Sequence, residues 1–212
     1  MDDNEDGQQA LNNVKITLLG GTGVGKTCII KRFTLNSFDL ETPSTSGGSY
    51  SIKTLDINGK EIQCDLWDTA GQEKFRSLGR HFYKDSYIVC LVYDITNYNS
   101  FNDLKTKWYE DLKLYGEKYS VLGVVGNKSD RYEEEEVKEE EARSYAEEIG
   151  ATFMLVSAKT GDNIDLLFDT LVRKYLGPEF AVKLQEMQNG HVKGSALSKD
   201  KSSPKSNKGG CC

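Results

Sequence analysis

The chain has no apolar run near the roughly 18 residues that a membrane-crossing helix requires, no net positive charge and no internal repeat. Its start, Met1-Asp2-Asp3-Asn4-Glu5-Asp6, is acidic where a secretory leader would be basic and then apolar, so synthesis in the cytosol is expected. Lys and Arg number 27 against 33 Asp and Glu, and the net charge of −6 excludes a general nucleic-acid binder. Cysteine is sparse, and the internal Cys28, Cys64 and Cys90 are expected as reduced thiols packed like small apolar residues. Histidine occurs only twice, and His81 is expected to cap or pack on a helix rather than to move protons. With 37% apolar content and no repeat, 212 residues support one core.

What is present begins with the strand-like Val14-Lys15-Ile16-Thr17-Leu18-Leu19, followed at once by Gly20-Gly21-Thr22-Gly23-Val24-Gly25-Lys26-Thr27 and Cys28. This is a phosphate-binding loop between a strand and a helix. Its glycines let consecutive backbone N–H groups curl around a β-phosphate at the positive end of the helix. Lys26 brings charge to the β- and γ-phosphates, and Thr27 a hydroxyl ligand for magnesium. In Asp65-Leu66-Trp67-Asp68-Thr69-Ala70-Gly71-Gln72-Glu73 a second strand delivers Asp68 at its end, where the carboxylate can hold the magnesium shell. Gly71 then offers a bare N–H to a γ-phosphate, and Gln72 lies beside the attacking water. Alone, Asp-Thr-Ala-Gly is a turn after a strand; the upstream loop gives it its meaning.

Asn127-Lys128-Ser129-Asp130 follows the apolar Val121–Gly126 stretch. A carboxylate at Asp130 accepts two parallel hydrogen bonds from the N1–H and 2-amino groups of guanine, and adenine has no matching donors. The chain is therefore expected to take GTP or GDP rather than ATP. Ser157-Ala158-Lys159, after the strand ending at Val156, adds a backbone N–H toward the guanine oxygen and a lysine stem beside the ring. Between the first helix and the next strand, Asn36 to Gly47 contains Phe38 and Ser44-Thr45. If Thr45 joins magnesium and the γ-phosphate, the segment is a switch, ordered with GTP and released after hydrolysis; by spacing alone it is an ordinary Ser/Thr-rich loop.

Lys208-Gly209-Gly210-Cys211-Cys212 places two cysteines on a polar stretch that cannot bury them. A disulfide between neighbours would be strained and zinc would lack ligands, so Cys211 and Cys212 read as lipid attachment sites. Residues 183–212 carry six lysines against Glu186 and Asp200, a formal +4 that leaves −10 on the rest. A weakly basic stretch beside two lipids suits an anionic membrane leaflet. The Glu133–Glu136 and Glu139–Glu141 run reads as a solvated loop and helix N-terminus, and Trp108 as packing.

Apolar patterning predicts strands over 14–19, 48–57, 61–67, 87–93, 121–126 and 152–156, and helices near 26–34, 74–83, 99–115, 138–149 and 163–176. The expected architecture is three-layer α/β, a P-loop NTPase fold with a six-stranded, mostly parallel sheet and about five helices. The short Asn58-Gly59 connection makes one strand antiparallel, and every motif falls at the strand C-terminal edge. The expected organisation is an acidic N-terminus over 1–11, a nucleotide-binding domain over 12–176 and a mostly disordered tail over 177–212.

Taken with these motifs, Trp67 to Leu78 and the string Leu91-Val92-Tyr93-Asp94-Ile95-Thr96 resemble the Rab family of small GTPases in the Ras superfamily. The resemblance implies a GTP-hydrolysing switch of vesicle traffic that recruits effectors when GTP-bound, on the cytoplasmic face of endomembranes with an escorted cytosolic pool. It also implies a monomeric core and, as partners, an exchange factor, a GTPase-activating protein (GAP), effectors, a prenylation escort and a GDP-dissociation inhibitor. Phe38 would pack on the guanine edge and Asn127 would tie the base loop to the phosphate loop. Two departures stand out. Ser46-Gly47-Gly48-Ser49-Tyr50 replaces the usual Ile-Gly-Val-Asp-Phe, which bears on effector choice, and Gly21-Thr22 replaces a usual Asp-Ser, which bears on hydrolysis. A GTP-binding adaptor with little intrinsic hydrolysis is the alternative, and a P-loop kinase or ATPase the competitor that Asp130 argues against.

Overall fold

The structure, a computed structural model, describes residues 13–40, 45, 48–69, 85–116 and 119–177. Strands β1 (Asn13–Leu19), β2 (Gly48–Ile57), β3 (Lys60–Thr69), β4 (Ile88–Asp94), β5 (Val121–Asn127) and β6 (Thr152–Leu155) form one sheet in the order β2-β3-β1-β4-β5-β6. All neighbours pair in parallel except β2 with β3. The exception follows from the Asn58-Gly59 turn, where both residues take positive φ (58° and 81°) and the Gly59 N–H donates to Asp56 Oδ1 at 2.8 Å. The winding direction reverses at β1, which puts the phosphate loop at the crevice where open α/β sheets bind ligands.

Every residue of β4 and β5 is buried, as their unbroken apolar runs require of central strands covered on both faces. On one face Val89, Leu91 and Tyr93 pack with Phe101, Leu104, Trp108 and Leu112 of the helical stretch after β4, and with Ala142 and Ala146 of a later helix. On the other, Phe33 of α1 (Lys26–Leu35) stacks on Phe168 of the last helix, residues 164–177, with ring centroids 3.9 Å apart. Cys64 and Cys90 are buried and reduced, and burial pushes both thiols up to about 12; Cys28 is half-buried.

Several boundaries differ from the sequence reading. The single helix expected over 99–115 is α2 (Tyr98–Asp103), a π turn (Leu104–Trp108) and α3 (Tyr109–Tyr115). Its apolar positions, Phe101, Leu104, Trp108 and Leu112, are mostly four residues apart, and the wider π turn keeps Leu104 and Trp108 on the buried face. β3 runs two residues beyond the expected 67, because Gly48 and Ser49 of β2 pair with Thr69 and Asp68. A 3₁₀ turn (Ser129–Glu134) takes in Glu133 and Glu134, whereas Glu139, Glu140 and Glu141 open α4 (Glu139–Glu148). The helix expected over 74–83, with His81, lies outside the described residues, as do 1–11 and most of 177–212.

Phe168, fully buried against Phe33, should be the most costly position on that face. Phe168→Ala is expected to lose about 3–5 kcal/mol of unfolding free energy in denaturant titration, and a loss under ~1 kcal/mol would mean that the stack does not join the two helices.

Candidate functional site

The C-terminal ends of β1, β3 and β5 and the loop after β6 surround a cavity of about 580 Å³. Thr22, Gly23, Gly25, Lys26, Thr27, Cys28, Phe38, Thr45, Asn127, Lys128, Asp130, Ala158 and Lys159 all line it. Gly20, Gly21, Val24, Asp68 and Ser157 stand behind that lining and act on it through the contacts below. Gly71 and Gln72, together with Cys211 and Cys212, lie outside the described residues.

At the phosphate-loop end, Gly25 caps α1 in a left-handed conformation (φ 95°). No side chain caps the helix there and its first turn carries no acid, so its N–H groups and positive dipole end are open to an anion. A Cβ on Gly25 would come within 2.2 Å of Asn127 Nδ2, and one on Gly20 within 2.3 Å of Val92 O, so side chains are excluded at both. The Lys26 ammonium donates to Gly20 O at 2.7 Å and Gly21 O at 3.0 Å. Burial lowers its pKa to about 8, with the Asp68 carboxylate pulling the other way.

Three oxygens converge beside it. Asp68 Oδ2 accepts from Thr27 Oγ1 at 2.6 Å and from Thr45 Oγ1 at 3.2 Å, and the two hydroxyls lie 2.8 Å apart. Asp68 Oδ1 is buried with no hydrogen-bond partner among the described residues. Burial raises the Asp68 pKa, against the Thr27 hydrogen bond, the Lys26 charge and the Thr45 hydrogen bond. An unpartnered buried carboxylate oxygen amid neutral hydroxyls is the hard-oxygen donor set of a small divalent cation, and Mg2+ fits it.

At the other end, Asn127 Nδ2 donates to Val24 O at 2.8 Å and its Oδ1 accepts from Ala158 N at 3.2 Å, so one buried amide joins phosphate loop and base loop. Asp130 Oδ1 accepts from Ser157 Oγ at 2.7 Å, and Lys159 Nζ lies 3.6 Å from Oδ2. The Asp130 side chain stays only 12% exposed with its carboxylate at the cavity wall. Lys128 takes a left-handed conformation (φ 67°) and pairs with Asp94 Oδ2 at 2.6 Å, which lays its stem along the wall. Sequence reasoning missed Asp94, whose place in Tyr93-Asp94-Ile95 gave no sign of an ion pair with a residue 34 positions later. It also missed Asp39, Leu40, Thr69 and Arg131, which line the same cavity.

These elements define a P-loop nucleotide-binding protein with a second polar subsite at the far end of its cavity. A Ras family model matches residues 15–177. The chain is 41% identical over 172 residues to "Ras-related protein Rab-31" of Mus musculus, covering 80% of this chain and 88% of that protein. It is 37% identical over 199 residues to "Ras-related protein SEC4" of Saccharomyces cerevisiae, covering 94% and 91%. The match to "Ras-related protein Rab-26" of Rattus norvegicus, 40% over 161 residues, takes in 76% of this chain but only 62% of the relative, less than two thirds of its length. The chain belongs to the Ras family, among its Rab-related members.

Two predictions test the phosphate end. Gly25→Ala should weaken GDP binding at least tenfold by equilibrium titration, since its Cβ meets Asn127 in a backbone conformation that alanine resists; unchanged affinity would remove the close approach. Phosphates raise the Lys26 pKa, so the affinity contributed by its charge is complete below the free value near 8 and falls as pH rises past it. Binding at pH 8.5 should therefore take up protons, seen as a heat that varies with buffer ionisation enthalpy, whereas at pH 6.5 Lys26 should contribute none.

Proposed function

We propose that this protein is a GTP-binding and GTP-hydrolysing switch of Rab type that regulates membrane traffic. The observation that carries the reading is Asp130, a carboxylate braced by Ser157 at the end of the cavity opposite Lys26, joined to the phosphate loop through Asn127. Its two oxygens suit the paired N–H donors of guanine, with Phe38 and the stems of Lys128 and Lys159 beside the ring and a backbone N–H of the Ala158–Lys159 segment at the guanine oxygen.

The reaction is phosphoryl transfer to water, promoted by position and charge. Lys26 and the N–H groups of Gly21 to Thr27 bind the β- and γ-phosphate oxygens, with Gly20 keeping the loop close to β4. Thr27, Thr45 and Asp68 would hold Mg2+, which would supply positive charge to the phosphates. Gly71 donates its N–H to the γ-phosphate and Gln72 orients the attacking water. Arg131 lines the cavity next to Asp130, at the end opposite Lys26, so turnover is slow and a GAP supplies the missing charge at the γ-phosphate. Because Thr45 shares Asp68 Oδ2 with Thr27, its segment senses the γ-phosphate, and the output is a conformational state that effectors read.

Anchoring is peripheral. No helix among the described residues is long and apolar enough to cross a membrane, and lipid attachment at Cys211 and Cys212 is the anchor this reading calls for. An exchange factor, a GAP, effectors, a prenylation escort and a GDP-dissociation inhibitor are its partners, at the cytoplasmic face of endomembranes and in an escorted cytosolic pool.

Two substitutions test the reading at its separate ends. Asp130→Asn should shift preference from guanosine toward xanthosine nucleotides, because the amide donates where xanthine carries a carbonyl; unchanged GTP affinity removes Asp130 from the base site. Gln72→Leu should slow single-turnover phosphate release by about tenfold or more, and an unaltered rate would remove the catalytic role assigned to Gln72.

A further inference from the structure

Arg32 lies late in α1, away from the phosphates, yet its guanidinium makes four hydrogen bonds. Nε donates to Ala158 O at 2.9 Å and Nη2 to Lys159 O at 2.7 Å, while Nη1 donates to Asn36 O and Asn36 Oδ1, each at 3.0 Å. Asn36, the left-handed C-cap of α1, fixes one side of the fork, and the base loop receives the other. The helix that presents Lys26 and Thr27 to the phosphates thus also grips, two turns on, the loop that meets the base.

We propose that Arg32 is a positioning residue for guanine recognition: it sets the Ala158–Lys159 peptide so that its N–H faces the cavity and the guanine 6-oxygen. This rests on the assignment of Ser157-Ala158-Lys159 to the base. In a trans peptide the carbonyl and N–H point in opposite directions. With the Ala158 carbonyl turned to Arg32, the Lys159 N–H is turned away from it. The neighbouring Ala158 N–H is fixed separately by Asn127 Oδ1 at 3.2 Å. The loop also closes on itself, through Gly161 N to Ser157 O at 2.8 Å and Thr160 N to Ser157 Oγ at 3.1 Å. Arg32 is therefore not what gives the loop its shape; it sets where that shape stands relative to α1. Gly161 (φ 93°) passes the Arg32 stem, its Cβ position 3.6 Å from Cδ.

The test is release of GDP and of 6-thio-GDP, whose sulfur replaces the 6-oxygen and accepts hydrogen bonds weakly. Arg32→Gln should release GDP at least tenfold faster than the native protein, as expected for two lost charge-assisted bonds. Its preference for GDP over 6-thio-GDP should also shrink. Arg32→Lys should fall between, because an ammonium can reach one carbonyl but has no fork to hold both. If both nucleotides leave faster by the same factor, with the preference intact, Arg32 is only a brace and the proposal is overturned. Asp130→Asn, compared for release of GDP and of xanthosine diphosphate, separates two failures. If it gains no xanthosine preference, the base-site assignment is at fault. If it does while Arg32→Gln holds GDP as the native protein does, the role given to Arg32 alone is wrong.

Discussion

The Asn127 side chain is the interaction on which the site depends. It sits at the end of β5, fully buried, and spends its amide on two loops more than 30 residues distant from it in either direction along the chain: Nδ2 on Val24 O and Oδ1 on Ala158 N. A buried amide with either partner missing would carry an unsatisfied polar group, so the two hydrogen bonds hold one another in place. Gly25 completes the arrangement, because the space a Cβ would fill is occupied by Asn127 Nδ2. Phosphate end and base end are thereby held at a fixed separation across the cavity.

A second junction lies at Asp68. Its Oδ2 gathers the hydroxyls of Thr27, on helix α1, and Thr45, just before β2, while its Oδ1 has no hydrogen-bond partner among the described residues. β3 carries Asp68 inside the sheet, paired with Ser49 of β2, so a change at the phosphates has a short covalent and hydrogen-bonded route to the β2 edge. Gly48 and Ser49 are exposed at that edge.

Much of this was legible in the sequence because its signals are local. The phosphate loop is a contiguous string, β4 and β5 are unbroken apolar runs, and Asn58-Gly59 marks its own hairpin. What was not legible depends on long-range geometry. The Lys128–Asp94 ion pair and the Arg32 fork join residues that no spacing rule connects. The π turn at Leu104–Trp108 arises from a four-residue apolar spacing that also fits an ordinary amphipathic helix, and β3 outruns its apolar pattern because β2 is there to pair with it.

In the proposed function the two ends of the cavity act as one site. A phosphate loop alone serves any nucleoside triphosphate, whereas the base selection proposed for Asp130 requires that Asn127 hold it at the right distance from Lys26. Competition of GTP and ATP for displacement of a fluorescent GDP from the native protein reads this directly. GTP should be preferred by ~10³-fold or more, and displacement by the two at comparable concentrations would contradict base selection by this cavity.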